Sequence, residues 1–72
     1  MNYEYIEPFL EIDFPTGNKV QIKKSAITDI YTHKVDGQWK VRINFERGNS
    51  SDYYTFGGTK EEFDKNSRIV YL

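Results

Sequence analysis

Trp39-Lys40-Val41-Arg42-Ile43-Asn44-Phe45 decides the fold of this chain. Apolar and polar residues alternate across the whole stretch, the period-2 pattern of a strand with one buried face. Trp39, Val41, Ile43 and Phe45 form the inward set, and Lys40, Arg42 and Asn44 point outward. Just before it, Asp36-Gly37 is a sequence favoured in primed hairpin turns, where the central residues need positive φ. Asp29 to Val35 is then the partner strand. The turn sets the register: Val35 opposes Gln38, Thr32 opposes Val41, and Ile30 opposes Ile43. Ile30 and Ile43 fall on one face, which checks the register independently.

Downstream, Arg47-Gly48-Asn49-Ser50-Ser51 reads as a loop and Asp52 to Phe56 as the next strand. A loop of Gly48 to Ser51 pairs Phe45 with Tyr54 and Ile43 with Phe56. Gly57-Gly58 breaks the strand. Thr59-Lys60-Glu61-Glu62 has the form of a capping box, so a helix starts at Lys60, with Phe63 as its first core anchor. Arg68-Ile69-Val70-Tyr71-Leu72 is β-rich, although Phe63, Ser67 and Val70 also fit a continued helix. The reading adopted is a short helix and then an extended tail, with a final strand as an option.

Upstream, Leu10-Glu11-Ile12-Asp13-Phe14 and Val20-Gln21-Ile22-Lys23 both alternate, separated by the turn Pro15-Thr16-Gly17-Asn18. A shared inward face pairs Phe14 with Val20 and Ile12 with Ile22, and it sets Glu11 opposite Lys23. Ser25-Ala26-Ile27 turns the corner. The expected architecture is mainly β. It is a five-stranded antiparallel meander bent into a small half-barrel of SH3-like kind, with one short C-terminal helix. Residues 1–72 form a single domain, with 1–8 as an N-terminal arm. The inward set is Leu10, Ile12, Phe14, Val20, Ile22, Ile30, Trp39, Val41, Ile43, Phe45, Tyr54, Phe56 and Phe63.

With 72 residues and no cysteine, the chain has a thin stability margin and no disulfide to widen it. One histidine and no thiolate argue against a metal centre, and no cofactor is expected. The absence of cysteine and of a basic-then-apolar leader fits a cytoplasmic protein. No apolar run approaches the roughly 20 residues of a membrane span. The net charge of −1 argues against a general polyanion binder. The charge is unevenly placed. Glu4, Glu7, Glu11 and Asp13 stand at the start, while Lys19, Lys23, Lys24, Lys34, Lys40, Arg42 and Arg47 dominate the middle. Cross-strand pairing between the two regions explains much of this without a ligand.

The layout resembles two bacterial groups. One is the small flagellar FlbD-type family of swarming-motility proteins, on Pro15-Thr16-Gly17, Val20 to Lys24, Ile27 with Ile30, Arg47-Gly48 and Thr59-Lys60-Glu61-Glu62. The other is the LytTR-type DNA-binding domain, on Ile27-Thr28-Asp29-Ile30-Tyr31. What the resemblance implies is the β-meander fold. The short chain and small loops also look like accessory proteins of phages and mobile elements.

Catalytic constellations are missing. His33 is the sole imidazole, and no serine stands in a nucleophile elbow. The acids Glu61-Glu62 open a helix, where the macrodipole favours them. The chain is therefore read as a binding protein and not as an enzyme. Gly57, Gly58 and Thr59 form a candidate anion contact at the helix start. A strand break with an N-cap is the better reading of them.

The main candidate site is the outer face of strands three to five. The hairpin register sets Asp29, Tyr31 and His33 beside Asn44, Arg42 and Lys40, with Tyr53 and Thr55 opposite Glu46 and Asn44. The candidate binding set is Tyr31, His33, Lys40, Arg42, Asn44, Arg47 and Tyr53, since tyrosine and arginine dominate interface hot spots. An ordinary solvated face with one cation–π pair would have the same composition. Tyr3, Tyr5, Ile6 and Phe9 form an apolar arm suited to self-association. The function expected is protein–protein interaction, in an accessory or inhibitory role. The alternatives are nucleic-acid binding on the same face and capture of a small phosphorylated ligand in an oligomer.

Overall fold

The computed structural model describes residues 6–72. Six strands form two three-stranded antiparallel sheets. Strands β1 (Pro8–Asp13) and β2 (Lys19–Lys23) are followed by a 3-10 helical turn, Lys24–Ala26. Strands β3 (Ile27–Val35), β4 (Gln38–Arg47) and β5 (Ser50–Gly57) follow, then helix α1 (Lys60–Lys65) and strand β6 (Ser67–Tyr71). The first sheet has the order β2-β1-β6 and the second β3-β4-β5.

The fold is mainly β with one short helix, but the strands do not run as one five-stranded meander. The 3-10 turn ends the ladder after β2, so β3 starts a second sheet. The chain after α1 then returns to β1. Glu7 and Leu72 exchange backbone hydrogen bonds at 3.1 Å each, and the Asp13 amide donates to the Asn66 carbonyl at 2.8 Å. The extended tail is therefore strand β6, and it makes β1 a central strand.

The β3–β4 hairpin has the register read from Asp36-Gly37, including Ile30 with Ile43 and Tyr31 with Arg42. Asp36 and Gly37 have φ of 51° and 78°, as a primed turn requires. The other two hairpins differ from the sequence reading by two residues each. Leu10 pairs with Ile22 and Ile12 with Val20, so Glu11 opposes Gln21 in place of Lys23. The cause is a turn centred one residue earlier: the Phe14 amide donates to the Asn18 carbonyl at 2.8 Å, which leaves Pro15, Thr16 and Gly17 as the loop. In the third hairpin Ile43 pairs with Tyr54 and Val41 with Phe56. Here the loop is tighter, because Gly48 takes φ 60° and allows a two-residue turn with Asn49. A slip of two keeps every side chain on its face, so the core survives both changes.

The two sheets bury one cluster: Leu10, Ile12 and Ile22 from the first, Val41, Ile43, Phe45 and Phe56 from the second, and Phe63 from α1. The Phe63 and Phe56 rings meet edge to face at 5.5 Å. Thr59 caps α1: its hydroxyl accepts from the Glu62 amide, and the Glu62 carboxylate accepts from the Thr59 amide. Phe14, Val20 and Tyr54 pack half-buried against it, and two further residues read as core do not join it. Trp39 and Ile30 share the inward face of the second sheet, yet are 46% and 38% exposed. Strands β3 and β4 have 9 and 10 residues, whereas β1 has 6 and β2 and β6 have 5, so the long strands overrun their cover. Lys34 lies over the uncovered Trp39 ring, 5.3 Å from its centroid.

The outer face of the first sheet is closed by charge. Arg68 reaches Glu11 through one guanidinium nitrogen and Asp13 through another. Lys19 and Lys23 bridge Asp13 and Glu7. The Glu11 carboxyl is held below its ordinary range by the hydrogen bond from Gln21 and then by that from Arg68. Arg68 does the same for Asp13.

Two tests follow from this architecture. Ile43→Ala should lower stability by about 2–5 kcal/mol in urea denaturation, while Trp39→Ala moves the midpoint much less. Carboxyls that titrate lower in the folded state stabilise it above the ordinary carboxylate range, and that stability is lost as pH falls through it. Urea midpoints should therefore fall from pH 6 to pH 3, and the fall should be shallower in Arg68→Met.

Candidate functional site

The outward residues of β3, β4 and β5 make one continuous face. Tyr31 lies across from Arg42 and His33 from Lys40, while Asp29 lies across from Asn44. On the other side of β4, Thr55 lies across from Arg42 and Tyr53 from Asn44. The two-residue slip of β5 thus carries Tyr53 one step toward the centre. There the Arg42 guanidinium sits over the Tyr53 ring, 4.2 Å from its centroid. Sequence reasoning singles out Tyr31 as the partner of Arg42. The stack is on Tyr53, and only the loop length after β4 could have signalled it. Tyr31 instead lies beside His33, with ring centroids 5.7 Å apart and planes tilted by 51°.

This face differs electrostatically from the first sheet. Lys19, Lys23, Arg47, Lys60 and Arg68 all form ion pairs with carboxylates. Lys40 and Arg42 form none among the described residues, and their neighbours in the ladder are His33, Tyr31 and Thr55. The acids Asp29 and Glu46 stand toward the end of the face near Asn44. Two side-chain nitrogens on this face, Arg42 Nε and His33 Nε2, are shielded from solvent and have no hydrogen-bond partner among the described residues. Shielded polar atoms without partners are uncommon in folded proteins. Tyr31 and Tyr53 stay open, at 37% and 52% exposure.

Not every candidate residue joins this face. Arg47 has the strand parity of Phe45 and so points to the opposite side, where it pairs with Asp52 at 3.8 Å. Gly57 ends β5 opposite Lys40. The Thr59 amide, which a bound anion would need, already donates to Glu62 Oε1 at 3.2 Å. Gly58 has a packing reason: a Cβ there would lie 2.9 Å from Cε1 of Phe56. Phe56 is 1% exposed, so its ring has little room to yield.

The arm is shorter than the sequence suggests. Phe9 belongs to β1, between Lys23 and Val70, because Pro8 already opens the strand. Ile6 is 64% exposed. Tyr3 and Tyr5 lie outside the described residues. A shallow cleft of about 300 Å³ opens between the Phe14–Asn18 turn and β5, lined by Phe14, Pro15, Val20 and Tyr54 and by no charged side chain. Among the described residues no group of His, Asp and Glu is placed to hold a metal ion, and no helix is long and apolar enough to cross a membrane.

The glycine contacts yield a direct contrast. Gly58→Ala should lower the melting temperature, since the added methyl meets Phe56, whereas Gly57→Ala, with open space around it, should change it little. No family model matches the chain, and neither does any curated protein or solved structure.

Proposed function

We propose that this domain is a non-catalytic binding module whose outer β3-β4-β5 face receives an anionic surface of a partner protein. The observation that supports this reading is the centre of that face. Among the described residues Arg42 and Lys40 have no carboxylate partner, Arg42 Nε and His33 Nε2 have no hydrogen-bond partner, and two open tyrosines flank them. A carboxylate on the partner would supply the missing acceptor for Arg42, and charge-assisted bonds of this kind are the strong ones. Small rotations of the two side chains would expose the shielded nitrogens to it. The rings of Tyr31 and Tyr53 supply flat, rigid contact area at low entropic cost. An accessory or inhibitory role suits such a surface on a chain with no catalytic constellation.

A second reading rests on the stacking geometry. Arg42 on Tyr53, with Tyr31 against His33, offers π faces to the bases of a single nucleic-acid strand.

The two readings separate by titrating the labelled domain with an acidic peptide of alternating Glu and Tyr and with oligo-dT. The first reading expects amide shifts confined to this face with the peptide. Arg42→Ala should then weaken binding about 10- to 100-fold, the equivalent of one hydrogen bond to a charged group. The second expects tighter binding of oligo-dT that weakens steeply with salt. No shifts with either probe would overturn both.

A further inference from the structure

A second surface lies on the other sheet, independent of the face just described. In an antiparallel pair, residues that exchange both backbone bonds alternate with residues that exchange none. Glu7 with Leu72, and Asp13 with Asn66, are joined by backbone bonds. Stepping inward by two along the register, Phe9/Val70 and Glu11/Arg68 are the other bonded pairs. Ser67, Ile69 and Tyr71 therefore turn their N–H and C=O groups away from β1, toward the side of β6 on which no strand pairs among the described residues.

Three of the four sheet edges carry features that oppose further pairing. Strand β2 is short and runs straight into the 3-10 turn Lys24–Ala26, whose exposed Lys24 forms no ion pair among the described residues. Strand β3 has a register break between Ile27 and Asp29. On β5 the Tyr53 amide, which faces the free side, is taken at 2.8 Å by the Asp52 carboxylate. Strand β6 has no such guard among the described residues. Its one charged side chain, Arg68, is held by Glu11 and Asp13. Its end is also the most apolar exposed region, with Ile69 at 43%, Tyr71 at 68%, Leu72 at 56% and the neighbouring Ile6 at 64% exposure.

We infer that β6 is a self-association edge, on which two copies of this chain pair β6 with β6 antiparallel about a two-fold axis at Ile69. In that register Ser67 of each copy opposes Tyr71 of the other, and Ile69 opposes Ile69. All the outward donors and acceptors are matched, in about six backbone hydrogen bonds. Arg68 faces Val70 of the other copy, so no like charges oppose. Ile69 and Tyr71 share the sheet face of Leu10, and from both copies they would form one apolar strip. An edge that completes itself by two-fold symmetry selects a second copy over an unrelated strand.

The test is solution mass by light scattering across a concentration series, with amide exchange on the same samples. The full chain should run at twice its 8.5 kDa mass, dissociating on dilution, with the Ile69 and Tyr71 amides protected only in the dimer. Ile69→Pro removes an outward N–H and spares the β1 ladder, so it should give a folded monomer. Tyr71→Glu, at an exposed side chain, should do the same and decides the matter if the proline variant does not fold. A monomeric full chain at every concentration overturns the inference. So does a dimer that persists in Tyr71→Glu, or one whose Ile69 and Tyr71 amides exchange freely.

Discussion

Strand β1 is the member on which the other elements depend. Leu10 and Ile12 turn their backbone groups to β2, while Glu7, Phe9, Glu11 and Asp13 turn theirs to β6. Its side chains are divided in the same way. Ile12 is fully buried against the second sheet, and Glu11 and Asp13 hold Arg68 on the other face. A domain this small has no disulfide to constrain its unfolded state, so its few buried groups must act together. By bonding its hairpin neighbour β2 on one side and the sequence-distant β6 on the other, β1 makes the first sheet cooperative. It also brings Leu10 and Ile12 into the same buried cluster as Val41 and Ile43.

The first sheet pairs its charges across strands, and the second leaves its central cations without acids. This division follows from strand length as well as composition. The short strands of the first sheet bring Glu7, Glu11 and Asp13 within reach of Lys23, Arg68 and Lys19. In the second sheet the acids stand at the ends: Asp36 in one turn, Asp29 and Glu46 toward the other. Surface pairs contribute little stability each. Their consequence here is what they leave over, a face where Arg42 and Lys40 lie across from Tyr31, Thr55 and His33 and form no ion pair among the described residues.

Much of the fold was legible because its strongest signals are local. Perfect alternation from Trp39 to Phe45, the Asp36-Gly37 turn and the Thr59 to Glu62 capping box each depend on a few adjacent residues, and each appears as read. What the sequence concealed was non-local. Nothing near Ser67–Tyr71 says that this segment will pair with Pro8–Asp13, because the partner is almost the whole chain away. The exposure of Trp39 was hidden for the same reason: its phase is that of Val41 and Ile43, but whether another sheet extends far enough to cover it depends on strands elsewhere.

The candidate face shows how a small error in loop length matters for a site and not for a core. A loop between Phe45 and the next strand can be two residues or four without moving any side chain to the wrong face, since the pleat repeats every two residues. The core is therefore indifferent to the choice: Ile43 meets an aromatic ring whether its partner is Phe56 or Tyr54. The outer face is not indifferent. With the longer loop Tyr53 would lie beside Glu46; with the two-residue turn set by Gly48 it lies beside Asn44, within reach of Arg42. The positive φ of one glycine thus decides whether the guanidinium is stacked and held in place or left to rotate in water. A cation held in place loses less entropy on meeting an anion. The turn at Gly48 is in that sense part of the site, although its backbone lies at the far end of the hairpin.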